Sequence, residues 1–227
     1  MTAPDSARRP GSQPTFPEWI AANGRTAGIA AGSVAIVALA AWLYITSANR
    51  KEAFASQALM QARGTAESGN LPLAASDLTR LIERFSGTRA ADEAVILLNQ
   101  TRLIEGQRDV AISALQQFVS SRHADYVKAS AYGLLGGALE DGGKHREAAE
   151  AFKQAALNAP LDFLKVQYLN DAGRAYVAAR DTTAAKSAYN EVLTKFGRLE
   201  QAAEARVRMA EIGGTVPPPP ADTSKGD

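Results

Sequence analysis

Self-similarity at a fixed period constrains this chain more than any single motif in it. Ala74, Ala111, Ala148 and Ala185 are each 37 residues apart. Large apolar residues keep the same register: Leu78, Leu115, Phe152 and Tyr189 fall four residues later, and Leu81, Phe118, Ala155 and Val192 seven later. Gly69, Gly106, Gly143 and Arg180 stand five residues before each alanine, and Ala94, Ala131, Tyr168 and Ala205 carry the series into the following unit. A period of this length, with large and small apolar residues at set offsets, means a solenoid of stacked units. Within a unit the spacing is helical, as in Leu71, Ala74, Leu78, Leu81, Ile82 and Phe85, a stripe on one helix face. Breaks fall at Gly69–Asn70, Gly106, Gly142–Gly143 and Pro160, with Asp181 placed as an N-cap. One helix pair cannot bury its apolar face alone, so neighbours must stack. The expected fold class is therefore all-α: a repeat domain over residues 49–212 with about four helix pairs and a closing helix at Glu200–Ile212. Residues 213–227, GGTVPPPPADTSKGD, show no apolar period and read as a disordered Pro-rich tail.

A second feature precedes the repeats. Between Arg25 and Arg50 lie 24 residues without a charge. A helix of about 20 apolar residues crosses a hydrocarbon core of roughly 30 Å. The insertion drive comes from Ile29, Val34, Ile36, Val37, Leu39, Leu43 and Ile45, with Trp42 and Tyr44 near one end, where amphipathic rings favour the interface. The chain thus divides into a short N-terminal segment (1–25), a retained transmembrane helix (26–48), the repeat domain and the tail. A cleaved signal peptide is the competing reading, since Thr46, Ser47 and Ala48 are small. The long apolar stretch and the residues ahead of it argue against that. Arg8, Arg9 and Arg25 precede the span and Arg50, Lys51 and Arg63 follow it, so the flanking charges set no orientation. Gly24, Gly28 and Gly32 form a small-xxx-small series, a face on which another helix, including that of a second copy, can approach closely. No breaker lies between Pro17 and Gly64, so the apolar helix is expected to run on into the first repeat.

Composition then removes function classes. There is no cysteine, hence no disulfide framework, thiolate metal site or lipidated N-terminal cysteine. From Arg50 onward 22 basic residues balance 22 acidic ones, so the repeat domain is not a nucleic-acid binder. His123 and His145 lie in different turns without a second ligand at helical spacing, and read as exposed loop histidines. Glu140–Asp141 reads as a solvated helix end, and no phosphate loop, dinucleotide glycine series or nucleophile elbow is present. The expectation is a non-enzymatic protein with no cofactor and no metal.

The third unit, KASAYGLLGGALEDGGKHREAAEAFKQAALNAP, resembles the tetratricopeptide pattern of two antiparallel helices through Tyr132, Leu135, Gly136, Leu139, Gly143, Ala148, Phe152, Ala155 and Pro160. The fourth unit keeps Gly173, Tyr176, Ala185 and Tyr189, whereas the first two carry Gln61–Ala62 and Leu98–Asn99 at the Leu-Gly position. The resemblance spans residues 53–197 and implies that stacked first helices line a concave, protein-binding face. It places Arg63, Gln100, Gly137 and Arg174 at one equivalent position of that face, Leu59, Ile96, Gly133 and Asn170 at another, and Glu93 and Gln167 at the rim. The candidates for partner binding are accordingly Arg63, Glu93, Ile96, Gln100, Asn170 and Arg174, without the Lys/Asn clamp that holds a C-terminal carboxylate in some tetratricopeptide proteins. The order of parts, and FPEWIAANGRTAGIAAGSVAIVALAAWLYI with Phe16, Trp19 and Ile20 before Asn23–Gly24–Arg25, resembles the ancillary SecYEG translocon subunit family of bacterial inner membranes. That resemblance implies a cytoplasmic N-terminus, a periplasmic repeat domain and partners among export-channel subunits, periplasmic chaperones or exported polypeptides. A structural or oligomeric membrane scaffold, and a cytoplasm-facing regulator, are the alternatives.

Overall fold

A computed structural model describes residues 24–121 and 123–218 of the chain. Among them all regular structure is helical: α1 (Gly24–Glu67), α2 (Leu71–Arg84), α3 (Arg89–Ile104), α4 (Arg108–Val119), α5 (Asp125–Asp141), α6 (His145–Asn158), α7 (Asp162–Ala178), α8 (Thr182–Phe196) and α9 (Ala202–Glu211). Phe16, Trp19, Ile20 and Asn23, and the tail from residue 219, lie outside the described residues. The chain divides into two units, Met1–Arg50 and Lys51–Asp227. In the first, the apolar window of α1 has a mean hydropathy of 2.0 and is uncovered, with Val34, Ile36 and Val37 all exposed. By length and composition it is apolar enough to cross a membrane. No break in helix occurs between Gly24 and Glu67, in keeping with the absence of Pro there.

In the second unit the 37-residue period is a property of the backbone. The second helices α2, α4, α6 and α8 begin at Leu71, Arg108, His145 and Thr182. Each is entered through the same turn, in which one residue adopts positive φ: Gly69 (85°), Gly106 (78°), Gly143 (74°) and Arg180 (58°). Two hydrogen bonds close each turn. In the third, the Gly143 amide donates to Glu140 at 2.9 Å and the Lys144 amide to Leu139 at 2.9 Å; in the fourth, Arg180 donates to Val177 and Asp181 to Tyr176, both at 2.9 Å. These bonds satisfy carbonyls that the ending helix leaves open, and they reverse the chain in the fewest residues. Glycine meets the left-handed geometry without a Cβ penalty. Arg180 is the one non-glycine at positive φ among the described residues, so the fourth turn departs in sequence but not in shape.

Side-chain packing repeats on this frame. The rings of Phe152 (α6) and Tyr189 (α8) lie against Gly136 (α5) and Gly173 (α7), where a Cβ would come within 2.7 and 2.4 Å of ring carbons. At the same register positions in the earlier units, Asn99 corresponds to Leu115 and Ala62 to Leu78, all buried. The small partner shrinks to glycine where the opposing residue grows to an aromatic, which keeps the paired helices at one spacing. This explains why the glycine of the Leu-Gly dipeptide position is confined to the third and fourth units. The other half of that dipeptide has a different cause. Leu98 and Leu135 are buried, but the equivalent Gln61 is exposed, as is Gln57, because no other described residue covers this side of α1. A polar outer face is what an end repeat needs for solubility. At the opposite end α9 buries Ala202, Ala205 and Met209. The apolar core lies in two clusters, one built by α1–α3 and one running from α4 to α9, with buried Asn99 and Thr101 of α3 among the few polar residues within.

Adjacent glycines on α5 therefore have opposite consequences. Gly136→Ala drives a methyl into the buried Phe152 ring and lowers stability by about 1–3 kcal/mol. Gly137→Ala meets nothing within 4 Å, and removing a helical glycine there stabilises by up to about 1 kcal/mol. Arg180→Gly is expected to stabilise by about 1 kcal/mol by removing the left-handed strain. Urea unfolding of the three variants, with m-values compared, checks these signs.

Candidate protein-binding groove

The first helices of successive pairs expose matching register positions, and three of them enclose a groove. Arg63 and Glu67 of α1, Glu93, Ile96 and Gln100 of α3, and Tyr126, Val127 and Ser130 of α5 surround a cavity of about 430 Å³. A second hollow of about 350 Å³ shares Arg63 and Glu93 as walls and extends past Ser56, Leu59 and Met60 towards Arg89. Ile96 and Leu97 are half-buried and Val127 is buried, so the floor is apolar, while Arg63 and Gln100 stand exposed.

Helix ends hold this groove open in a defined shape. Glu52 of α1 accepts hydrogen bonds from the backbone amides of Arg89 (2.9 Å) and Ala90 (3.0 Å), placing a carboxylate on the first turn of α3. Thr88 caps the same helix by accepting from the Ala91 amide at 3.1 Å. Arg89 in turn donates Nε to the Tyr126 hydroxyl at 3.2 Å, with its guanidinium 5.7 Å from the ring centroid. That hydroxyl holds the Arg89 pKa above its ordinary value. Glu52, Arg89 and Tyr126 are one period apart, so each repeat reaches the next at the same register position. Arg63, Glu93 and Gln100 make no side-chain hydrogen bond or ion pair with a described residue. The groove thus presents unsatisfied polar side chains around an apolar floor.

Of the six residues implicated by the sequence, Arg63, Glu93, Ile96 and Gln100 come together here. Asn170 and Arg174 are elsewhere. Asn170 is 3% exposed and donates Nδ2 to the Gln201 carbonyl at 3.2 Å, tying α7 to the closing helix. Arg174 pairs with Asp171 at 2.8 Å and reaches Glu140 at 3.9 Å. Met60, Tyr126, Val127 and Ser130 complete the groove and escaped the sequence reading, although Tyr126 sits one period from Arg89 and was reachable by the same register arithmetic. Gly24, Gly28 and Gly32 are exposed on α1, with nothing within 4 Å of a Cβ placed on them. His123 is not the open loop histidine expected: it is half-buried, stacked on Phe118 with centroids 3.9 Å apart, and its Nδ1 lies 3.2 Å from Asp92. His145 is also half-buried, its Nδ1 enclosed and without a partner. Among the described residues no three His, Cys, Asp or Glu side chains converge as metal ligands would.

Burial raises the Asp171 pKa; Arg174 opposes this, while Glu140 and Glu204 add to it. A carboxyl that titrates higher in the folded state favours folding below its ordinary value of 3.8 and loses that contribution as pH rises through the folded pKa. Asp171→Asn removes the penalty. Its stability relative to wild type is therefore expected to improve from about pH 3 to about pH 7, as thermal unfolding across that range will show.

Residues 18–212 match the family model of the tetratricopeptide repeat-like domain. No curated protein matches the chain significantly. Among solved structures the chain is similar to the crystal structure of MamA protein, with a TM-score of 0.50 and 21% identity over 88% of this chain and 94% of that chain. This is a likeness of fold.

Proposed function

Because the chain belongs to the tetratricopeptide repeat-like domain family, a fold of protein–protein interaction, we propose that it is a membrane-anchored adaptor whose first-helix groove holds a segment of a partner protein. The observation that carries this is the groove itself: Ile96 and Val127 offer an apolar floor to a partner side chain, and Arg63, Glu93 and Gln100 are left free to pair with its flanks. An extended or short helical segment fits such a surface. The uncovered apolar stretch of α1 supports the anchor, with residues 26–48 as the span contacting membrane lipid, residues 1–25 ahead of it, and residues 49–212 as the binding domain. Similarity in order and sequence to ancillary SecYEG translocon subunits favours the bacterial inner membrane, with the repeats in the periplasm. Export-channel subunits, periplasmic chaperones or exported polypeptides are then the partners. The role is then that of a scaffold, as is typical of this family.

A photo-reactive amino acid at Gln100 tests this reading in a bacterial host. Cross-links to channel subunits, chaperones or exported chains are expected, and both Ile96→Glu and Arg63→Glu should reduce them by about tenfold, the equivalent of losing one buried apolar anchor or one paired charge. Cross-links confined to unrelated membrane proteins would sink the export role while leaving the adaptor. A C-terminal alkaline phosphatase fusion should be active; an inactive, stably produced fusion places the repeats in the cytoplasm. The exposed Gly24, Gly28 and Gly32 favour a second reading, self-association through α1. That reading fails if Gly28→Ile leaves the oligomeric state of the full-length protein unchanged in mild detergent.

A further inference from the structure

A cavity of different chemistry lies between the second helices α6 and α8, over α7. Its volume is about 260 Å³, and Leu157 of α6, Leu169 of α7 and Phe196 of α8 supply its apolar lining. Leu169 is 5% exposed and forms the base, whereas Leu157 is 74% exposed at the open side, an uncovered aliphatic with no packing role within the repeat domain. Each of the three helices adds one lysine to the wall: Lys153, Lys165 and Lys195.

The charge that lines the cavity is one-sided, although each lysine has a carboxylate beside it on its own helix. Three lysines face a single lining carboxylate, Glu191, in a domain that is neutral overall. Each lysine has only a neighbour on its own helix as counter-ion: Lys153 with Glu150 at 3.6 Å, Lys165 with Asp162 at 2.9 Å and Lys195 with Glu191 at 2.7 Å. Pairs of this kind on an exposed helix surface are weak and exchange readily with other anions. Lys153 also lies 5.9 Å from the Tyr176 ring, which leaves its charge in place. The first-helix groove has mixed charge, with Arg63 against Glu67 and Glu93, and so selects a different ligand.

We propose that this cavity is a second docking site, for a short acidic segment of a partner protein that carries adjacent large apolar side chains. The apolar side chains enter between Leu157 and Phe196 over Leu169, and flanking carboxylates replace the local partners of Lys153, Lys165 and Lys195. Cationic rims around an apolar slot steer such a segment and set its register, while the slot supplies most of the holding power. The chain would then hold two partner segments, or two parts of one partner, in separate sites.

The test uses the full-length protein in detergent micelles and a fluorescein-labelled peptide with a Leu-Leu-Phe core flanked by glutamates, read by anisotropy. Saturable binding that weakens with salt is expected. Lys153→Glu combined with Lys195→Glu should weaken it by about tenfold or more, since two attractions become repulsions. Lys153→Gln with Lys195→Gln should weaken it less, in the same direction, and circular dichroism confirms that both variants are folded. Arg63→Glu should leave the affinity unchanged, which separates this site from the first-helix groove. The proposal is overturned if wild type shows no saturable binding, or if the charge-reversed protein binds equally well. It is also overturned if a peptide with serines in place of its apolar core binds as tightly. Displacement of the peptide by phosphatidylglycerol through the same lysines would reassign the site to a lipid surface, and a dimer dissociated by the reversal would reassign it to a second copy.

Discussion

Everything in the repeat domain depends on a turn that reverses the chain between the first and second helix of each pair. It is closed by two backbone hydrogen bonds and needs one residue at positive φ, at Gly69, Gly106, Gly143 and Arg180. Because the turn has a fixed length, it sets which residue of one helix faces which residue of the next. The glycine–aromatic contacts of Gly136 with Phe152 and Gly173 with Tyr189 follow from it. So does the recurrence of Glu52, Arg89 and Tyr126 at one edge of the stack. Arg180 shows that the geometry, not the glycine, is what the fold requires: the two backbone hydrogen bonds of the turn form around an arginine in the same conformation, at some cost.

Repetition of the backbone does not mean repetition of the surface. Most core register positions are buried in every unit, but others, such as that of Gln61 and Leu98 or of Ile96 and Asn170, differ in exposure, and the candidate sites arise from those differences. Around Arg63, Glu93 and Gln100 the first helices leave free charges and amides over an apolar floor. At the equivalent position in the last pair, Arg174 is occupied by Asp171 and Glu140, and Asn170 is spent on the Gln201 carbonyl. The first-helix face thus leaves unpaired side chains at one end, whereas at the other its polar side chains are engaged within the domain, with Asn170 Oδ1 and Arg174 Nε buried and unpartnered. Between α6 and α8 the second helices collect lysines around an apolar slot. A solenoid with low side-chain connectivity between distant repeats can vary such patches independently.

The architecture was legible in the sequence because helices, turns and apolar faces are local properties repeated several times over. Four alanines at one spacing, with a large apolar residue four positions on, identify the second helices to the residue at which they begin. Three turn glycines were equally plain. The fourth was legible only by analogy, since nothing local to Arg180 predicts a left-handed residue. Gln61 looked like a decayed repeat position. It is instead a position on a helix face that no described residue covers, a distinction that needs knowledge of the packing.

From its sequence alone this protein is an all-helical repeat chain with a period of 37 residues, preceded by an uncharged apolar segment and without cysteine. Those conclusions rest on composition and on short-range periodicity, which the backbone geometry of a helix translates directly into faces. The tertiary structure alone decided which polar side chains remain free. Asn170 and Ile96 occupy equivalent register positions, yet one is buried against the closing helix and the other lines a groove. The lysines of α6, α7 and α8 are unremarkable in sequence and form one cationic rim only when three helices meet. The reason is physical: whether a side chain is satisfied depends on the neighbours that packing brings to it from other helices, and a pattern read along one chain does not contain them.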